Sequence, residues 1–210
     1  MKKSLLILGL ALLGTTATTY AQEVKLGAKA GVNFAKLQGD DVEDADGRTG
    51  FHLGAIVEIP ISEKFSVQPE VLYSQQGLQS ESEDGGVEVE SKLKLDYITV
   101  PVLGKYYVSD GFSIEAGPQF GFLAKAEQEV EISGAEPDAV NGSTTIDIED
   151  SIASFDLGAA IGAGYALDNG VFFQARYIIG LSNVDDSDEG GLFEDDLTNS
   201  NLQFSVGYKF

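Results

Sequence analysis

The 210-residue chain has no cysteine. That excludes disulfides, a lipid anchor on cysteine and a thiol nucleophile. It has a single histidine, so any imidazole chemistry rests on His52. Beyond a short N-terminal stretch, no segment approaches 18 consecutive apolar residues, the minimum for a spanning helix. Runs with helical periodicity are few, whereas glycine is abundant at 25 residues. Bases are scarce, 13 against 34 acids, for a net charge of −21.

The N-terminus reads as an export leader. Lys2 and Lys3 precede an apolar stretch from Leu5 to Gly14. Thr19-Tyr20-Ala21 then places small residues at −3 and −1 of a cut before Gln22. This is the layout of a secretory signal peptide over 1–21. Residues 22–210 suit a single domain.

Past residue 22, apolar and polar residues alternate with period two, the mark of half-buried strands. Eight stretches carry it: 25–34, 51–59, 65–73, 93–108, 112–124, 153–167, 171–181 and 201–210. Seven have an unbroken register. Their apolar parity holds no charged residue, whereas the other parity carries Lys29, Glu58, Glu70, Glu115, Asp156, Arg176 and Lys209 among others, with many glycines. In the fourth, Leu93, Leu95 and Tyr97 share one parity and Val102, Tyr106 and Val108 the other. The reading is a bulge near Pro101.

The connections alternate in length. Three are short, at 60–64, 109–111 and 168–170, and the last two contain the hairpin dipeptides Asp-Gly and Asn-Gly. Four are long, at 38–49, 79–92, 127–152 and 183–200, and these hold 25 of the 34 acids against only Arg48 and Lys92. The strands and turns are therefore electrically balanced. The long loops lack the apolar content for a core and are expected to be mobile beyond the strand ends.

An eight-stranded barrel has an interior just wide enough for side chains. Small and paired polar residues fit it better than bulky Phe, Tyr, Leu and Ile, which places the apolar face outside, against lipid. Aromatic residues near the strand ends then form two girdles: Phe65, Phe112, Tyr165, Tyr208 and Phe210 at one rim, Phe34, Phe51 and Tyr73 at the other. The predicted fold is all-β: an eight-stranded antiparallel up-and-down transmembrane β-barrel with short periplasmic turns and four long acidic extracellular loops. The expected location is the cell outer membrane, in contact with its lipid and lipopolysaccharide.

Residues 201–210, NLQFSVGYKF, resemble the C-terminal signal read by barrel-assembly machinery, with Gln203, Tyr208 and Phe210 at its polar, aromatic and aromatic positions. Ser205 stands where that signal usually has glycine. More broadly, GVNFA (31–35), SVQPEVLYSQQG (66–77), YITVPVLGKYYV (97–108), IEAGPQFGFL (114–123), FDLGAAIGAGY (155–165) and ARYIIGLSNV (175–184) resemble the PorT-like outer-membrane β-barrel, or porin, family of Bacteroidota-type bacteria. That resemblance implies the architecture and location but no particular activity, although a few relatives take part in secretion.

No catalytic, cofactor-binding or metal-ligating residue is assigned. His52 falls on the lumen parity with no motif placing a Ser and an acid beside it, and reads as a structural polar residue. DDVEDADG (40–47) departs from a calcium loop at Val42 and Leu53. With ESEDGG (81–86) and DDSDEGG (185–191) it reads as solvated acidic loop. Low-specificity binding of Ca²⁺ or Mg²⁺, bridging to lipopolysaccharide phosphates, is the alternative. Such loops repel nucleic acid. The expected role is non-enzymatic, in envelope structure or surface interaction, with a side-chain-filled lumen. A narrow channel, a secretion accessory and a lipid-modifying enzyme are the alternatives.

Overall fold

Alternation is carried into nine strands. The structure, a computed structural model, describes residues 23–38, 46–84, 87–134, 142–184 and 197–210. The strands are β1 (Lys25–Gln38), β2 (Asp46–Pro60), β3 (Phe65–Asp84), β4 (Val87–Tyr107), β5 (Phe112–Gly134), β6 (Gly142–Asp147), β7 (Phe155–Ala166), β8 (Val171–Gly180) and β9 (Thr198–Lys209). All pairings are antiparallel. β1 pairs with β9 and β4 with β5, so eight strands close into a ring. The lower half of β5 pairs with β7, whereas its upper half pairs with the short β6. The eight expected strands are all present. The predicted leader lies outside the described residues.

The tight turns form as their dipeptides dictate. Gly111 and Gly170 take φ of +78° and +90°, where a side chain would be strained. A Cβ at either would also stand 2.5 Å from a backbone oxygen, of Ala166 and of Lys209 respectively.

The predicted faces hold. Leu26, Phe34, Phe51, Leu53, Phe112, Ile161, Phe173, Phe204 and Tyr208 point outward and are exposed, whereas Lys29, His52, Glu70, Glu115, Arg176 and Gln203 point inward and are buried. The fourth strand differs from expectation. Its pairing with β3 keeps one register from Phe65↔Tyr106 to Asp84↔Val87, with no bulge at Pro101. The irregularity lies on the β5 side, at Asp96/Tyr97, where Ala124 is the extra residue. Leu93, Leu95, Tyr97, Thr99, Leu103 and Lys105 therefore share one inward face. Its composition changes along the strand because the lumen itself changes from apolar to polar.

The stretches read as loops at 79–92 and 127–152 are largely strand. β3 and β4 stay paired to Asp84↔Val87, and β4 and β5 to Val87↔Gly134. Val87, Val89, Val130 and Ile132 alternate with glutamates there, so the acids had concealed a period-two pattern. A tilted strand needs roughly 9–11 residues to cross a bilayer. β5 has 23 and β8 only 10. The long strands β3, β4 and β5, with β6, thus rise past the ring as a projecting sheet at the loop end.

The loop end also has a core, contrary to the expectation from its acidity. Leu37, Leu93, Leu95, Tyr97, Ala126, Ile148, Ile152, Val184 and Leu197 form one buried apolar cluster. Backbone bonds from Ala153 to Val184, from Val184 to Leu197 and from Ile148 to Ala126 tie these connections to one another and to β5. These apolar residues stand singly among polar ones, so no run announces them.

Candidate functional site

Charges occupy the lumen in layers. At the turn end Glu58 accepts hydrogen bonds from Tyr107 Oη, Lys209 Nζ and Ser66 Oγ, with Lys105 Nζ at 3.6 Å. This cluster floors a vestibule of about 800 Å³ open at the turn end and lined by Lys25, Glu58, Ser66, Tyr107, Lys209 and Phe210 among others.

The middle layer is a closed network. Arg176 forks onto Glu70, Nη1 to Oε2 at 2.9 Å and Nη2 to Oε1 at 2.8 Å. Its Nε donates to Glu115 at 2.9 Å. Lys29 pairs with Glu70 at 2.8 Å and donates to Gln174 Oε1 at 2.8 Å; Gln174 donates onward to Glu115 at 2.6 Å. Gln68 adds a bond to Glu70 at 2.7 Å. Two cations and two carboxylates thus satisfy one another, the condition for burying charge.

Above lies His52, fully buried. Asn33 Nδ2 donates to Ser74 Oγ at 3.0 Å and to the carbonyls of Gln75 and Phe51 at 2.8 and 3.2 Å. Its Oδ1 is therefore an acceptor, 2.7 Å from His52 Nδ1, and Gln203 Nε2 also donates to it at 3.1 Å. This assigns the proton to Nδ1. His52 Nε2 then accepts from Ser205 Oγ at 2.7 Å. So a serine does stand beside His52, which sequence spacing had not suggested. Gly31 pairs with His52 on one side and Ser205 on the other, and its missing side chain makes the room. The third member is an asparagine rather than an acid. Ser205 is only 7% exposed, so the array is enclosed within the lumen wall.

The projecting sheet is two-faced. Register places Glu81, Glu90 and Glu131 in one row and Lys92 beside Glu129 in the next. Lys92 pairs with Glu90 at 2.6 Å, and Lys94 pairs with Glu129. The bond from Lys94 holds the Glu129 carboxyl below its ordinary range, and the bond to Glu90 raises the Lys92 ammonium. The opposite face carries Leu78, Leu93, Val130 and Ile132. All six residues of β6 are exposed, and β6 ends the sheet order. Of the acid clusters singled out in the sequence, most of 40–47, all of 185–191 and residues 85 and 86 lie outside the described residues. No group of three His, Cys, Asp or Glu poised for a metal occurs among the described residues.

No curated protein matches the chain. Among solved structures, Neisserial surface protein A superposes with a TM-score of 0.53 at 15% identity, covering 90% of this chain and all of that one. Ail, the attachment invasion locus protein of Yersinia pestis, is 14% identical with a TM-score of 0.49, over 90% of this chain and all of that one. A major outer membrane protein from Thermus thermophilus is 16% identical with a TM-score of 0.44, over 91% of this chain and 100% of that one. At 15% identity the likeness to Neisserial surface protein A is one of fold. Residues 20–186 match the family described as outer membrane protein beta-barrel domain. The chain belongs to that family, and its ring of strands is an outer-membrane β-barrel.

Proposed function

We propose that the protein is a non-enzymatic, PorT-like barrel that acts through its outer surface, in envelope structure or surface interaction, rather than by conducting solute. The observation that carries this reading is the middle lumen layer. Arg176, Lys29, Glu70 and Glu115 are all buried and mutually bonded across the barrel. The apolar cluster of the loop end lies above them. A channel reading draws only on the vestibule, which stops at Glu58.

In this reading the short turns face the periplasm and the projecting sheet faces outward. Residues 1–21 are removed on export, and 201–210 present the final strand to the assembly machinery. The acidic face of the sheet, with the acids of 40–46 and 185–196, takes Ca²⁺ or Mg²⁺ at low specificity. It would then bridge to lipopolysaccharide phosphates, without holding a dedicated metal.

The test is a planar-bilayer recording of the purified barrel beside mass spectrometry of lipid A from cells with wild-type or His52→Ala protein. Silence in the bilayer and an unchanged lipid A spectrum are expected. Discrete conductance steps would favour the channel. A lipid A species lost in His52→Ala would favour the enzyme.

A further inference from the structure

Three of the four lumen carboxylates have cations beside them. Glu58 has Lys105 and Lys209, Glu70 has Arg176 and Lys29, and Glu115 has Arg176. Asp156 has none among the described residues. It is 4% exposed, and its polar neighbours are neutral: Ser182 Oγ donates to its Oδ1 at 3.2 Å and the Asn199 side chain lies against it. A buried carboxylate left at that would be costly.

Its surroundings are rich in oxygen. Tyr97 Oη, Thr99 Oγ1, Gln119 Oε1 and Asn201 Oδ1 are buried with no hydrogen-bond partner among the described residues, as are the amide nitrogens of Asn199 and Asn201, and the four oxygen-bearing residues are at most 2% exposed. Register places Thr99 level with Asp156. Thr99 pairs with Gly121, and Gly121 pairs with Asp156. A Cβ on Gly121 would stand 3.1 Å from Asp156 Cβ, so glycine lets the carboxylate lean across. Gln119 is the next inward residue down β5. On β9, Asn199 lies against both Tyr97 and Asp156, with Asn201 the next inward residue.

We propose that this level of the lumen binds one alkali-metal cation at Asp156, with Thr99, Gln119, Asn201 and Tyr97 as neutral oxygen ligands. The donors are carboxylate, hydroxyl and amide oxygens, the set that suits hard cations. One carboxylate balances one positive charge, whereas a divalent ion would leave a net charge buried. The apolar cluster above and the Arg176 network below shield the ion from bulk water.

The test uses the purified full barrel. Its thermal unfolding midpoint is followed by gel mobility in sodium, potassium and choline chloride at matched ionic strength. The wild type should rise in midpoint with the logarithm of sodium or potassium concentration, while choline gives no rise. Asp156→Asn should be flat in all three salts, and Gln119→Leu should need a higher concentration for the same rise. Acids on the projecting sheet are unchanged in both variants, so they cannot produce that difference. Crystals of the wild type grown with thallium(I) supply a measurement that needs no variant to fold, with an anomalous peak expected beside Asp156. Equal midpoints in sodium and choline, an undiminished salt response in Asp156→Asn, or no thallium peak at Asp156 would overturn the proposal.

Discussion

Replacing Arg176 with methionine tests whether the lumen is a closed electrostatic unit. Arg176 is 1% exposed and holds two carboxylates at once. Without it Glu70 retains Lys29 at 2.8 Å and Gln68 at 2.7 Å, and among the described residues Glu115 retains Gln174 at 2.6 Å. The middle layer then has one cation against two carboxylates. Removing one partner of a buried ion pair costs about 3–5 kcal/mol, because the survivor stays buried and uncompensated. Adding Glu115→Gln restores the balance of one against one. The double variant should therefore recover part of the loss, with a coupling of about 0.5–3 kcal/mol. Arg176→Lys should recover less than its charge suggests, because an ammonium cannot reproduce the planar fork. The assay is urea unfolding of the folded barrel in detergent, read by circular dichroism. A loss below about 1 kcal/mol for Arg176→Met would refute the argument. So would strict additivity with Glu115→Gln, since it would mean the two groups are solvated independently.

Three further perturbations separate the outer face, the apolar cluster and the projecting sheet. Ala159 lies on the outward face of β7, paired with Pro118 and Ile179; arginine there should cost about 2–4 kcal/mol of insertion or stability, measured by folding into liposomes, and tolerance would refute the lipid-facing assignment. Leu95 is 0% exposed in the loop-end cluster, so Leu95→Ala should cost about 2–5 kcal/mol in the same urea assay, whereas no loss would mean the cluster is not packed. Changing Glu81, Glu88, Glu90 and Glu131 to glutamine should leave assembly unchanged on a heat-modifiability gel and weaken Ca²⁺ binding in a calorimeter; failed assembly would show that these acids are structural.

Most of the ring was legible because two rules agree along it. Period-two alternation located eight strands, and the restriction of charge to one parity told lumen from exterior. His52 was correctly placed on the lumen parity, but its partner Ser205 lies 153 residues away. Glu70 and Arg176 are 106 residues apart. Such pairs depend on register between strands that are not neighbours in sequence, which periodicity does not encode. The upper halves of β3, β4 and β5 were missed for another reason. Their outward rows are glutamates, so the stretches looked like solvated loop even though Val87, Val89, Val130 and Ile132 kept the beat. Leu37, Ile148, Ile152, Val184 and Leu197 reach one cluster from β1 and from two separate connections, β6–β7 and β8–β9. Packing on Leu93, Leu95, Tyr97 and Ala126, with the backbone bonds among those connections, brings them together.

The distribution of charge explains how a chain with a net charge of −21 closes a barrel at all. Inside, Lys29 and Arg176 face Glu70 and Glu115 across the middle layer, and there the formal charges cancel. That balance is required where water is scarce, since each uncompensated ion there costs several kcal/mol. The acids of the projecting sheet sit beyond the ring, where exposed charges are screened over about 8–10 Å at physiological salt. Even there, opposed like charges destabilise a sheet, and Glu81, Glu90 and Glu131 share a row. The sheet offsets this with lysines in the adjoining rows, Lys92 on Glu90 and Lys94 on Glu129. It also continues the backbone ladder of strands already fixed in the barrel. The acidity of the sheet is thus a surface property separable from the fold, whereas in the lumen and on the lipid-facing side of the ring a single added or lost charge decides stability.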